Sequence, residues 1–126
     1  TATVIADSTV NALWLNTDSM QTIMTDSPEL SGSLWKTASM RFAENLLGAK
    51  DPYNGWSQIQ LRRWLNEGDV MAPPNGETTN LYGKVAVLVS GQSIPAGSTE
   101  PINAPAHLNL AEATFNGNAK VFIRNA

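Results

Sequence analysis

Apolar and polar positions in the N-terminal part of the chain recur every ten residues. Asp7, Thr17, Ser27 and Thr37 form one column, each a residue type that caps helix N-termini. Three residues on, Val10, Met20, Leu30 and Met40 form a wholly apolar column. Leu13 and Trp14, then Ile23 and Met24, extend this to the i, i+3, i+4 stripe of a short amphipathic helix. The third unit has Ser33 and Leu34 there, with Trp35 following. The fourth has Ala43 and Glu44, where the apolar face weakens. Pro28 follows Ser27 directly, at the first helical position, where its missing N–H costs nothing. The pattern predicts four short helices, near residues 8–15, 18–24, 28–35 and 38–47. Helices this short are marginal alone, and a cap adds only about 1 kcal/mol. Each stripe must therefore be buried against neighbours, in this chain or in symmetry mates.

Further along, Gly48 takes the position after Leu46-Leu47 where a helix end favours a left-handed residue. Asp51-Pro52-Tyr53-Asn54-Gly55 is turn chemistry. Ser57 is placed to cap a longer helix running to Glu67 and stopped by Gly68, with Leu61, Trp64 and Leu65 as its apolar face. Asp69–Thr79, with Pro73-Pro74-Asn75-Gly76, reads as a linker or ordered loop.

From Asn80 the helical period is gone. Leu81–Val89 is a strand candidate, and Val85-Ala86-Val87-Leu88-Val89 is continuous enough to be buried on both faces. Ser90–Pro105 is too rich in proline for a central strand and reads as a loop. Asn116-Gly117, between His107–Phe115 and Asn118–Arg124, is a hairpin signal. On the last strand Ala119, Val121 and Ile123 share one face, and Lys120, Phe122 and Arg124 the other. That strand is convenient for pairing with another subunit and is otherwise an exposed edge. The fold class is therefore α+β: a helical element at 1–68, with the decads at about 5–43 and the longer helix at about 57–67; a loop or linker at 69–79; and a small antiparallel β element at 80–126.

Composition narrows the chemistry. The 126 residues include no cysteine, which excludes disulfides, thiolate metal sites and a cysteine nucleophile. One histidine leaves little for an imidazole-based metal site. Charged residues make up 15%, against about 25% in an average soluble domain. The net charge of −3 argues against a nucleic-acid footprint. Ala, Asn, Thr, Ser and Gly supply 57 of the 126 residues, a surface suited to assembly. No membrane span and no secretory leader are expected. Thr1 is compatible with removal of an initiator methionine, or with a fragment.

The stretches Asp7-Ser8-Thr9-Val10-Asn11-Ala12-Leu13, Thr17-Asp18-Ser19-Met20-Gln21-Thr22-Ile23 and Thr37-Ala38-Ser39-Met40 resemble degenerate copies of a known repeat. Decapeptides of the type Ser-Ser-Thr-Ala-Met-Gln-Ala-Val-Ala-Asn recur in tail-fibre and other virion proteins of tailed bacteriophages. Ser27-Pro28-Glu29-Leu30 resembles the Ser-Pro-Thr-Ala variant of that unit. The resemblance covers about residues 5–43. It implies a non-enzymatic structural role in a virion appendage: a tail-fibre, collar or baseplate component, assembled in the host cytoplasm as a homo-oligomer and in contact with other virion proteins. The alternatives are a capsid decoration protein and a receptor- or carbohydrate-binding module.

For the last of these, the candidate stacking residues are Tyr53, Trp56, Trp64 and Tyr82, and a host surface glycan is the ligand class they would serve. The competing reading of the tryptophans is core filling. Other chemistry is thin. Gly91-Gln92-Ser93-Ile94-Pro95 lacks the last glycine of a nucleophile elbow. His107 is a lone imidazole. Glu67 and Asp69 lack the Asp-x-Asp-x-Asp-Gly frame of a calcium loop. Arg62-Arg63 is too small a patch for nucleic acid. No catalytic residue, metal site or cofactor is assigned, and neither nucleic acid nor membrane is expected as a partner.

Overall fold

The structure, a computed structural model, describes residues 3–12, 14 and 16–126. Leu13 of the first apolar stripe lies outside the described residues, as do the side chains of Thr17, Met20 and Met24. The chain divides into two compact units, Thr1–Ser31 and Gly32–Ala126.

In the first unit, described residues 3–12 carry neither helix nor strand and are exposed. Helix α1 spans Thr17–Asp26. Its cap is Asn16, whose side-chain oxygen accepts from the Ser19 N–H at 2.8 Å. The predicted helix at 8–15 is not formed at residues 8–12. Ser27 closes α1, donating its N–H to the Ile23 carbonyl at 2.9 Å.

Helix α2 runs unbroken over Pro28–Leu47, correcting the two separate helices predicted at 28–35 and 38–47. Thr37 lies in its interior. The row Trp35, Ser39, Ala43, Leu47 explains why: at i, i+4, i+8, i+12 it carries one face across Thr37, with Trp35 packed against the core that buries Ala43 and Leu47, and packing along that face outweighs the capping preference of a single threonine. A 3-10 turn at Tyr53–Gly55 leads to α3, Gln58–Asn66. Ser57 and Gln60 form a reciprocal capping box at its start, and Leu61 and Leu65 are its buried residues.

The sheet is antiparallel, with strands β1 Asp69–Met71, β2 Thr78–Asn80, β3 Lys84–Pro95, β4 Ile102–Asn103, β5 Ala106–Leu108 and β6 Glu112–Asn125. An α+β arrangement, helices first and sheet after, is what the pattern predicted. β3 and β6 form its spine. Toward one end, β6 also pairs with β1 and β3 with β5. Toward the other, β6 pairs with β2 and β3 with β4. β6 is therefore interior, not an edge offered to another subunit.

Three further expectations are corrected. β1 and the first two residues of β2 lie within 69–79, read as a loop or linker, because both pair with β6. β3 continues through Gly91 to Pro95, well into the segment read as a loop, with its proline at the strand end. Asn116-Gly117 does not turn a hairpin, because β6 passes straight through it. Between the pairs Ser90–Lys120 and Gln92–Asn116, β6 accommodates two more residues than β3. Gly117 (φ 72°) and Asn118 (φ 54°) take them up as a bulge opposite Gly91 (φ 82°). The left-handed residues that signal a hairpin thus serve a bulge.

Val85–Val89 are all buried. Val85, Val87 and Val89 join Ala43, Leu47, Leu61, Leu65 and Phe122 in one cluster. Ala86 and Leu88 join Leu81, Leu108, Ala113, Phe115, Ala119 and Val121 in another. Side chains alternate across a strand, so β3 separates two hydrophobic layers. α3 and the later part of α2 thus share a core with the sheet within one compact unit.

Candidate functional site

Three of the four candidate stacking residues are brought together. The 3-10 turn holds Tyr53 beside Trp56 at 5.1 Å between ring centroids, and α3 brings Trp64 to 5.3 Å from Tyr53 and 5.7 Å from Trp56. Edge-to-face and tilted geometry at these distances is favourable aromatic packing. All three rings are half-buried against the helix-side core. Tyr82 is not with them: it is 82% exposed in the turn after β2.

One face of Trp64 is taken by Arg124, whose guanidinium carbon sits 4.7 Å from the ring centroid. Arg124 Nε donates to the Trp64 carbonyl at 2.8 Å, and its terminal nitrogen pairs with Glu67 at 2.9 Å. Trp64 is therefore a structural ring. Tyr53 and Trp56 instead line a cleft of about 430 Å³ together with Asn54, Gln58 and Glu44. Burial pushes the Tyr53 hydroxyl pKa up.

A wider groove of about 630 Å³ lies between α2 and α3 and shares Glu44, Asn45 and Gln58 with that cleft. Thr37, Met40, Arg41, Arg62 and Asn66 complete it. Glu44 is the hub. Arg62 Nε donates to both its oxygens at 3.1 Å, and Gln58 Nε2 donates to one at 2.9 Å. These hydrogen bonds, the Arg62 one above all, hold the Glu44 carboxyl below its ordinary pKa. Sequence reading misses this constellation, since Glu44 and Arg62 lie on different helices and no local motif joins them.

The remaining candidates are dispersed. Ser93 is fully buried, and its hydroxyl has no hydrogen-bond partner among the described residues, so nothing there activates a nucleophile. His107, half-buried on β5, faces Lys50, with Nζ to Nδ1 at 3.4 Å. Burial first and the Lys50 charge second lower its pKa. Glu67 pairs with Arg124, while Asp69 accepts from the Val70 N–H at 2.8 Å, so the two carboxylates serve separate partners. Among the described residues, no group of three or more His, Asp or Glu could hold a metal ion, and no helix is long and apolar enough to cross a membrane. Of the proposed caps, Ser57 bonds the Gln60 N–H at 3.2 Å, and Ser27 sits at the α1–α2 junction with its carbonyl accepting from Ser31 at 3.0 Å. Thr17 is the first residue of α1, Thr37 is interior to α2, and Asp7 lies in a bend.

No protein-family model matches the chain, and no curated protein does. Among solved structures, it is similar to the sensor domain of the transcriptional regulator DNR from Pseudomonas aeruginosa. Identity there is 16% over 68% of this chain and 73% of that one, with a TM-score of 0.49. It is also similar to the regulatory domain of Toxoplasma gondii PKA in a structure with cAMP, at 11% identity over 86% of this chain and 47% of that one, with a TM-score of 0.54. The chain spans about half the length of the latter protein. At such identity the likeness to this second structure is one of fold alone.

Proposed function

We propose that this chain is a non-enzymatic structural protein of a bacteriophage virion, a tail-fibre, collar or baseplate component that works as an oligomeric assembly unit. The observation that carries this reading is the N-terminal segment. Val4 is 91% exposed, Ile5 83%, Val10 63% and Trp14 82%. Large apolar side chains scattered singly over a surface are ordinary, but four within eleven residues of one segment call for a covering partner. The decad columns and their resemblance to virion repeats support the same reading and name the setting. A second copy of the chain and neighbouring virion proteins are the partners it implies. A capsid decoration protein is the alternative within this class, and position in the particle separates the two. One solved structure of similar fold is a regulatory domain. Likeness at 11% identity does not extend its role to this chain.

The test is light scattering coupled to size exclusion over a wide concentration range. The intact chain is expected to self-associate, and the double variant Ile5→Ser/Trp14→Ser to remain monomeric with unchanged circular dichroism. A monomer at every concentration that also fails to bind purified virions would refute the proposal. Immunogold labelling of intact particles then distinguishes tail from capsid.

A further inference from the structure

The groove between α2 and α3 is not needed for the assembly role, and its composition is specific. Its volume and that of the adjoining cleft, about 630 and 430 Å³, fall in the range of small-molecule sites, roughly 300–1,000 Å³. The two openings share Glu44, Asn45 and Gln58, so one ligand can span both. At the cleft end, Tyr53 and Trp56 supply ring surface against which the C–H face of a sugar packs. Along the middle, the planar amides of Asn45 and Gln58 and the ionised Glu44 offer donors and acceptors to sugar hydroxyls.

The groove end carries two guanidinium groups, Arg41 and Arg62, against a single carboxylate. Arg62 spends its Nε edge on Glu44, which leaves its two terminal nitrogens, the pair that grips a carboxylate bidentately. Arg41 is exposed and acts on Glu44 only through its charge. The site therefore has a stacking end, a hydroxyl-reading middle and a cationic end. We propose that it binds an acidic saccharide, with a pyranose ring at Tyr53 and Trp56 and a uronate carboxylate at Arg62 and Arg41. This stands independently of the assembly reading, because the site lies wholly within the Gly32–Ala126 unit.

The experiment titrates the intact chain with defined oligogalacturonates, following tryptophan fluorescence and the side-chain amide resonances of Asn45, Asn54 and Gln58. Saturable binding is expected, weakened by salt and much weaker for the neutral methyl-esterified oligomers and for malto-oligosaccharides of equal length. Arg41→Ala is the main variant, since that side chain is exposed. It should weaken binding about tenfold, the loss of one charge-assisted contact. Gln58→Ala, which leaves both arginines in place, should weaken binding of the carboxylated and methyl-esterified oligomers alike. Equal binding of neutral sugars, an unchanged affinity in Arg41→Ala, or the same shifts with inorganic sulfate each overturn the proposal. So does the absence of any shift at the three amides.

Discussion

Replacing Gly68 with alanine isolates one steric contact at the joint between α3 and the sheet. Gly68 is buried where the chain leaves α3, and its N–H closes the helix on the Leu65 carbonyl at 2.9 Å. A Cβ built there meets the tip of the Phe122 ring, comes to 3.0 Å from Phe122 Cε1, and lies 2.8 Å from the Ile123 carbonyl oxygen. Neither neighbour can move easily. Phe122 is fully buried among Leu47, Leu65 and Val87, and Ile123 is the β6 partner of Asp69 at the start of β1. Gly68 is not left-handed, so the change by itself favours folding by about 0.4–1 kcal/mol through a stiffer unfolded chain. Overpacking a well-filled core costs about 1–3 kcal/mol. The second effect wins, and Gly68→Ala should lose about 1–2 kcal/mol in urea unfolding at an unchanged m value. Phe122→Leu shortens the ring tip, so in the double variant the two losses should fall short of additivity by at least about 0.5 kcal/mol. A Gly68→Ala protein as stable as the parent, or strict additivity in the cycle, would show that the joint is not packed as described.

Two further outcomes follow from the charged groups. The folded state holds His107 below its ordinary pKa of 6.5, so the unfolded chain binds more protons as pH falls. The stability from neutral His107 is complete above 6.5 and is lost on acidification below it. Unfolding at pH 5 and pH 8 should show a smaller difference in Lys50→Met than in the parent, and an identical difference would remove the Lys50 effect. Arg124→Lys keeps the charge but loses the planar stack on Trp64 and the paired donation to the Trp64 carbonyl and Glu67. It should cost about 2–4 kcal/mol in denaturant, by analogy with one charge-assisted hydrogen bond plus a cation–π contact. Parent-like stability would mean that charge alone matters there.

Legibility in the sequence divides by the range of the interactions. The Ser57 cap depends on residues within one turn of each other and can be read directly. The Val85–Val89 run and the alternation of Ala119 to Arg124 report burial, and the two clusters follow from them. The fusion of two decads into α2 is different, because Thr37 is a good cap in isolation and only the tertiary face of Trp35, Ser39, Ala43 and Leu47, which spans it, overrides it. The Asn116-Gly117 signal identifies the correct backbone conformation and the wrong structure. Whether left-handed residues turn a chain or bulge it depends on the partner strand, here β3 with Gly91 opposite. Tyr53, Trp56 and Trp64 are close in sequence and meet in space, whereas Glu44 and Arg62 meet only through the packing of two helices.

The central segment of β3 has a consequence for how this unit comes apart. Val85, Val87 and Val89 belong to the helix-side layer, and Ala86 and Leu88 to the layer on the other face, so neither layer has a wall of its own. Peeling α2 and α3 away strips one side of the strand, and opening the far layer strips the other. Either event exposes main-chain and side-chain atoms that the surviving half still requires. α3, the later part of α2 and the sheet should thus open as a single cooperative unit, with the amides of Val85–Val89 exchanging with solvent only when it does so.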